Sequence, residues 1–102
     1  MQILALSRRL PGVTDGQLAP LAEQEAAAAF ALYAAGTFRS LYMLPERPGA
    51  LVVLECESLD DARRIMATLP MVKAGLIDFD YSRMTPYVSF QGLFREVYRR
   101  TP

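Results

Sequence analysis

The sequence contains no histidine, no tryptophan and only one cysteine among its 102 residues. The absence of histidine removes the commonest general base and the commonest metal ligand of proteins. A single cysteine cannot form an internal disulfide, so we expect a reduced, cytoplasmic protein. Neither a metal-ligand cluster nor a cofactor-binding motif is present in the sequence, and we expect no metal and no cofactor.

A net charge is also missing, because 11 Lys and Arg side chains balance 11 Asp and Glu side chains. Nucleic-acid-binding domains usually carry a basic excess, so this balance argues against DNA or RNA as a partner. No apolar run approaches the roughly 20 residues that a membrane helix needs. The basic residues near the N-terminus follow the apolar run instead of preceding it, which is the wrong order for a signal peptide.

Local signals predict four strands and two helices in the order β-α-β-β-α-β. The strands are expected over residues 2–8, 37–44, 50–56 and 76–84. Thr14 and Gln17 form a capping-box pattern that begins the first helix, and Gly36 stops it after about Ala35. Ser58 caps the second helix, whose end is marked by Pro70.

This order is that of the α+β ferredoxin-like fold, with a four-stranded antiparallel sheet and both helices on one face. The strands are apolar in both alternation sets, which predicts burial of both sheet faces. A second subunit is the simplest cover for the free face, so we expect a sheet-to-sheet homodimer or a higher homo-oligomer. Residues 1–86 form this domain. An extra amphipathic C-terminal helix is predicted within residues 87–102 by the helical spacing of Phe90, Leu93, Phe94, Val97 and Tyr98. We expect it to serve as an oligomer contact or a pocket lid.

Glu25 is the most informative candidate for chemistry, because it falls within the apolar stripe of the first helix. A carboxylate on a core-facing stripe is costly unless it is paired, and burial raises its pKa towards neutrality. Such a group can act as a general acid or base. An internal salt bridge, for instance to Arg39, or exposure at a subunit rim is the structural alternative.

Arg39 opens the second strand, where its guanidinium could clamp a carboxylate substrate. The alternative role is a structural partner for Glu25, Asp78 or Asp80. Asp78 and Asp80 share one face of the last strand, and we expect them to lie on a solvent or rim face bonded to Arg. The candidate ligand contacts, for which core packing is the alternative, are Tyr33, Tyr42, Leu21 and Leu32.

The segment Gly36-Thr37-Phe38-Arg39 resembles the entry to the second strand in the muconolactone Δ-isomerase family. The runs 54–71 and 77–79 also match that family's strand, helix, "LPL"-like stop and final strand, so the similarity covers roughly residues 2–86. The resemblance implies a dimeric α/β barrel and lactone isomerisation in aromatic degradation. It aligns Glu25 with a proposed acid/base and Arg39 with the family's Arg. The chain departs from the family in lacking histidine and in carrying Ala22 at a basic position.

Two classes of function follow from these observations. The first is an enzyme that isomerises a small lactone, enone or polyketide-like substrate by proton transfer without a cofactor, with Glu25 as base and Arg39 as anchor. The alternative is a non-catalytic ligand-binding or assembly module, or a cofactor-independent monooxygenase or cyclase on the same barrel. In each case the expected ligand is small and is either apolar or carboxylate-bearing.

Overall fold

The structure of the protein, a computed structural model, describes residues 1–94. Its strands are β1 (Gln2–Arg9), β2 (Phe38–Met43), β3 (Ala50–Glu55) and β4 (Ile77–Met84). Its α-helices are α1 (Asp15–Leu18), α2 (Ala22–Ala34), α3 (Leu59–Met66) and α4 (Pro70–Lys73), and 3₁₀ helices span Ala19–Leu21 and Val88–Phe94. The predicted β-α-β-β-α-β order is therefore confirmed.

The four strands form one sheet in the order β2-β3-β1-β4, in which every neighbouring pair is antiparallel. This is the expected α+β ferredoxin-like topology. One face of the sheet carries the core, because the helices pack against alternate residues of each strand. The buried core consists of Ile3, Ala5, Phe38, Val52, Leu54, Ala62, Met66, Leu69 and Phe79.

The first helical segment begins and ends where the sequence predicts. The Gln17 side chain accepts a hydrogen bond from the Thr14 N–H at 2.8 Å, which completes the capping box. Pro20 interrupts the segment with a 3₁₀ turn, so that α1 and α2 replace a single long helix. Gly36 has a φ of +82°, a left-handed conformation that suits glycine and ends α2.

The second helical segment differs from the prediction at its end. Ser58 caps α3, and its hydroxyl accepts the Asp61 N–H at 3.0 Å. However, α3 already ends at Met66, and Pro70 opens the short helix α4 instead of closing a longer one. Proline is tolerated in the first turn of a helix, because the N–H that it lacks would have no partner there. Pro70 also keeps the preceding residue, Leu69, in an extended conformation, so that a helix begins at Pro70 and does not run through it.

The open face of the sheet, opposite the helices, carries the other alternation set of the strands. Leu4, Leu6, Leu51 and Val53 lie there, and each is only partly buried. At the β4 side of this face, Arg8 donates to Asp80 at 3.1 Å and to Asp78 at 3.4 Å. The expectation that Asp78 and Asp80 lie on an exposed face bonded to Arg is confirmed.

The predicted amphipathic C-terminal helix falls partly outside the described residues. Its first part, Val88–Phe94, is a 3₁₀ helix with no buried residue, and Val97 and Tyr98 lie beyond residue 94. Tyr87 and Phe90 stack edge to face with ring centroids 4.8 Å apart. Within residues 1–94 no helix is both long enough and apolar enough to cross a membrane.

Candidate functional site

A cavity of about 450 Å³ lies between the sheet and the helical layer, on the core side of the sheet. The composition of α2 leaves room for it, because Ala22, Ala26 and Ala29 line it with short side chains. Most of the other residues that surround it are apolar. They include Leu18, Phe38, Leu41, Met43, Pro48, Val52, Leu69, Met71, Ile77 and Phe79.

Glu25 brings a carboxyl group to the wall of this cavity. Its side chain is half-buried, and its Oε1 accepts a hydrogen bond from the Met71 N–H at 2.9 Å. Partial burial raises the pKa of the carboxyl, and the bond from Met71 opposes that rise. Because the charged form is disfavoured, the group holds a proton at higher pH than an ordinary glutamate does.

No cation neutralises Glu25 within residues 1–94. All ion pairs among these residues involve other carboxylates. The salt bridge between Glu25 and Arg39, which was the structural alternative for Glu25, therefore does not form. A half-buried carboxyl that is held by a backbone N–H and faces open space is able to take up and release protons at a bound ligand.

Arg39 lies in a neighbouring groove instead of the Glu25 cavity. The groove measures about 550 Å³ and is lined by Tyr33, Arg39 and Ser40, together with the exposed ring of Phe30. Tyr42 borders both spaces, and so do Ala26, Ala29 and Leu41. The structure therefore separates Glu25 from Arg39 but places them on adjoining sites that share a wall.

The remaining candidate ligand contacts are distributed unevenly. Leu32 is partly buried and packs against the core cluster, and Leu21 is also partly buried. Neither of them borders the cavity or the groove. Among the candidates, Tyr42 thus lines both spaces, and Tyr33 lines the Arg39 groove alone.

Sequence reasoning missed Ser7, a buried hydroxyl residue that lines the cavity with Glu25. The only signal in the sequence was a serine at a core-facing position of an apolar strand, which also has a purely structural interpretation. Elsewhere, burial raises the pKa of the Cys56 thiol, which disfavours a nucleophilic role. Within residues 1–94 no three His, Cys, Asp or Glu residues are grouped so that they could hold a metal ion.

No protein-family model matches the sequence, and a search of curated proteins finds no match. Among solved structures, the fold is similar to that of 5-chloro-2-hydroxyhydroquinone dehydrochlorinase (TftG) from Burkholderia phenoliruptrix AC1100, in complex with 2,5-dihydroxybenzoquinone. The TM-score is 0.70 at 19% identity, over 83% of this chain and 94% of that chain. This similarity shows that the two chains share a fold, and an identity this low transfers neither a substrate nor a role.

Proposed function

We propose that the chain is a small muconolactone-isomerase-like enzyme that moves a proton on a lactone, enone or polyketide-like substrate without a cofactor. The observation that supports this proposal is Glu25, an acid without an ion-pair partner in residues 1–94, at the wall of an apolar cavity of about 450 Å³. Ligand pockets typically have volumes of about 300–1,000 Å³ and apolar walls with few polar groups. The cavity fits that description.

In the proposed reaction, Glu25 first accepts a proton from the substrate and later donates a proton to it. The carboxylate removes a proton from a carbon next to the substrate carbonyl, and the electron pair of that bond moves onto the carbonyl oxygen to give an enolate. The carboxylic acid, whose proton exchanges with solvent while the enolate is bound, then donates a proton to another carbon of the conjugated system, and the carbonyl re-forms. No oxidant or reductant is needed, since the substrate and the product are isomers.

We infer that the ligand is a flat ring compound. TftG was solved with 2,5-dihydroxybenzoquinone, which is a conjugated carbonyl compound of the size that we propose for this cavity. Arg39 in the adjoining groove offers a cation for a carboxylate that extends past Tyr42. Guanidinium groups bind carboxylates through two parallel hydrogen bonds, so Arg39 would anchor such a substrate and Glu25 would act on its ring.

We also propose that the functional unit is a homodimer whose subunits meet through the open faces of their sheets. A face that carries Leu4, Leu6, Leu51 and Val53 is more apolar than a solvent-exposed sheet face usually is. Residues 87–102 would then contact the partner or cover a pocket. Tyr87, Phe90 and Phe94 are at least 60% exposed within one chain and would gain burial in either arrangement.

The proposal is tested by hydrogen exchange between solvent and substrate, which needs no knowledge of the final product. We would incubate the protein in D₂O with unsaturated γ-lactones, cyclic enones and β-diketones and follow deuterium uptake by NMR. The expected result is catalysed exchange at carbons next to the carbonyl for at least one of these classes. Glu25→Gln should slow it by about 10²–10⁴-fold, because general acid–base groups contribute that much.

Glu23→Gln is the matched control, because Glu23 lies two residues away on α2 and is exposed. It should exchange at the wild-type rate. Equal losses in the two variants, or no exchange with any compound, would overturn the proposal. In the latter case, ligand binding without turnover would favour the non-catalytic module, and consumption of oxygen would favour a monooxygenase.

The non-catalytic alternative rests on one specific contact. The bond from the Met71 N–H to Glu25 joins α2 to α4, which gives the carboxyl a structural role regardless of any ligand. Glutamine retains the accepting oxygen in Glu25→Gln, so this variant removes the acid and keeps the contact. The exchange experiment therefore separates the two roles of Glu25.

A further inference from the structure

Ser7 is a polar residue that the fold places on the core side of the sheet. Its neighbours of the same alternation set, Ile3 and Ala5, are fully buried in the core. Ser7 is 6% exposed and lies at the wall of the cavity that also contains Glu25. A buried hydroxyl is stable only when it is hydrogen-bonded, so its partners indicate what the residue is there to do.

The backbone pairing between β1 and β3 changes at Ser7. The Cys56 N–H donates to the Met1 carbonyl, so Met1 and Cys56 are a hydrogen-bonded pair between the two strands. In an antiparallel ladder, every second residue pair is hydrogen-bonded through the backbone in this way. The next hydrogen-bonded pairs along the strands are Ile3–Leu54 and Ala5–Val52. Ser7 and Ala50 occupy the position where the following pair would stand. At this last position the Ala50 N–H donates instead to the Ser7 hydroxyl oxygen, at 2.7 Å.

The neighbouring turn holds this arrangement in place. The Ser7 carbonyl, which the ladder leaves free, accepts a hydrogen bond from the Arg47 guanidinium at 2.9 Å. Gly49 approaches so closely that a Cβ atom there would lie 2.8 Å from the Ser7 Oγ. Its φ of +141° also disfavours any other residue. Three residues of one segment thus fix the position of a single hydroxyl.

The accepted bond leaves the Ser7 hydrogen available. Within residues 1–94 the Ser7 Oγ donates to no group, and its oxygen is already occupied by the Ala50 N–H. A hydroxyl that accepts a short hydrogen bond becomes a better donor, because the bonds polarise one another. The cavity therefore contains a positioned donor at Ser7 as well as an acid and base at Glu25.

We propose that Ser7 donates a hydrogen bond to the carbonyl oxygen of the ligand and stabilises the negative charge that develops there when Glu25 removes a proton. This assignment rests on the proposed function of the cavity. It identifies the ligand class as a conjugated carbonyl compound that forms an enolate, in which the oxygen faces Ser7 and the acidic carbon faces Glu25. Ser7 keeps its own proton throughout, so the atom balance of the isomerisation does not change.

Binding of two probes of similar ring size tests this role. The first probe is 2,5-dihydroxybenzoquinone, which has carbonyl oxygens, and the second is toluene, which has none. We would measure their dissociation constants for the wild type and for Ser7→Ala by calorimetry and ligand-detected NMR. Ser7→Ala should weaken binding of the quinone about tenfold, the loss expected for one hydrogen bond, and should change toluene binding by less than about twofold.

Ser7→Cys is the second variant, because it keeps a side chain of the same shape, with a somewhat larger thiol that is only a weak donor. It should also weaken quinone binding, and it keeps the test valid if Ser7→Ala does not fold. Equal quinone affinities in the wild type and the variants, or a parallel loss of both probes, would overturn the assignment to Ser7 while leaving the proposed function intact. If the wild type binds neither probe, the ligand cavity itself is refuted and the assignment falls with it.

Discussion

At the scale of single residues, Glu25 combines two properties that seldom occur together. It is an acid on the inward face of an alanine-rich helix, and its hydrogen-bond donor is a backbone N–H instead of a cation. Burial therefore outweighs hydrogen bonding, and the carboxyl pKa rises. The position of Glu25 within the apolar stripe was predictable from helical periodicity. Its partner Met71 was not, because that contact joins residues 46 positions apart.

The raised pKa of Glu25 predicts how stability depends on pH. The folded state binds the Glu25 proton more tightly than the unfolded state, whose carboxyl has the ordinary pKa of 4.5. Below that value both states are protonated, and the burial of Glu25 carries no ionisation cost. As the pH rises through the higher folded-state pKa, the wild type should lose stability relative to Glu25→Gln.

The measurement is the free energy of unfolding in urea for both proteins between about pH 4 and about pH 8. The difference between the two proteins should be constant at the acidic end and grow in favour of Glu25→Gln at higher pH. Glu23→Gln, at an exposed site of the same helix, should show no comparable trend. A difference that is flat across the whole range would contradict the raised pKa.

At the scale of elements, local chemistry made most boundaries predictable. Thr14, Gly36 and Ser58 act on backbone groups within four residues of themselves, and all three ended or began a helix as expected. Pro70 was misassigned because a proline before a helix and a proline after a helix have the same local signature. Only the packing of α4 against α2 and β4 distinguishes the two cases.

The cap of α3 gives a prediction at this scale. Ser58→Ala removes the hydroxyl that accepts the Asp61 N–H and should lower the free energy of unfolding by about 1 kcal/mol. Thermal and urea unfolding would measure the loss. Thr85→Ala, at an exposed position after β4, is the control and should change stability by less than about 0.5 kcal/mol. A neutral Ser58→Ala would mean that the bond does not stabilise α3.

At the scale of the whole molecule, the sequence predicted the sheet and an apolar cavity beside Glu25 but not most of the residues that line that cavity. The faces of the sheet follow from alternation along each strand, which is a local pattern. The lining of the cavity instead depends on where α2, β2 and the turn before β3 meet, and on the small volume of Ala22, Ala26 and Ala29 at that junction. Ser7 escaped prediction for the same reason, since its partner Ala50 is 43 positions away.

The open face leads to a prediction about assembly. If the sheets pack face to face, the protein should have twice the chain mass of 11.4 kDa in sedimentation and light-scattering experiments. Leu4→Glu places a charge at the centre of that face, where it would be buried without a partner, and should give the mass of a single chain.

Ala27→Glu adds the same charge at an exposed position of α2 and should leave the dimer intact. Dissociation in both variants would indicate a general loss of stability. A wild-type protein that sediments as a single chain would rule out the proposed interface.

The turn between β2 and β3 serves two tasks within this small chain. Pro48 and Gly49 form part of the cavity wall, and Arg47 and Gly49 also hold Ser7 of β1 in place. Because the length of a hairpin turn fixes the register of its two strands, a change in turn length would shift the pairing of β2 with β3 together with the cavity wall. Ligand range and strand pairing are thus encoded in the same six residues, so a change of substrate through this turn requires substitutions that preserve its length.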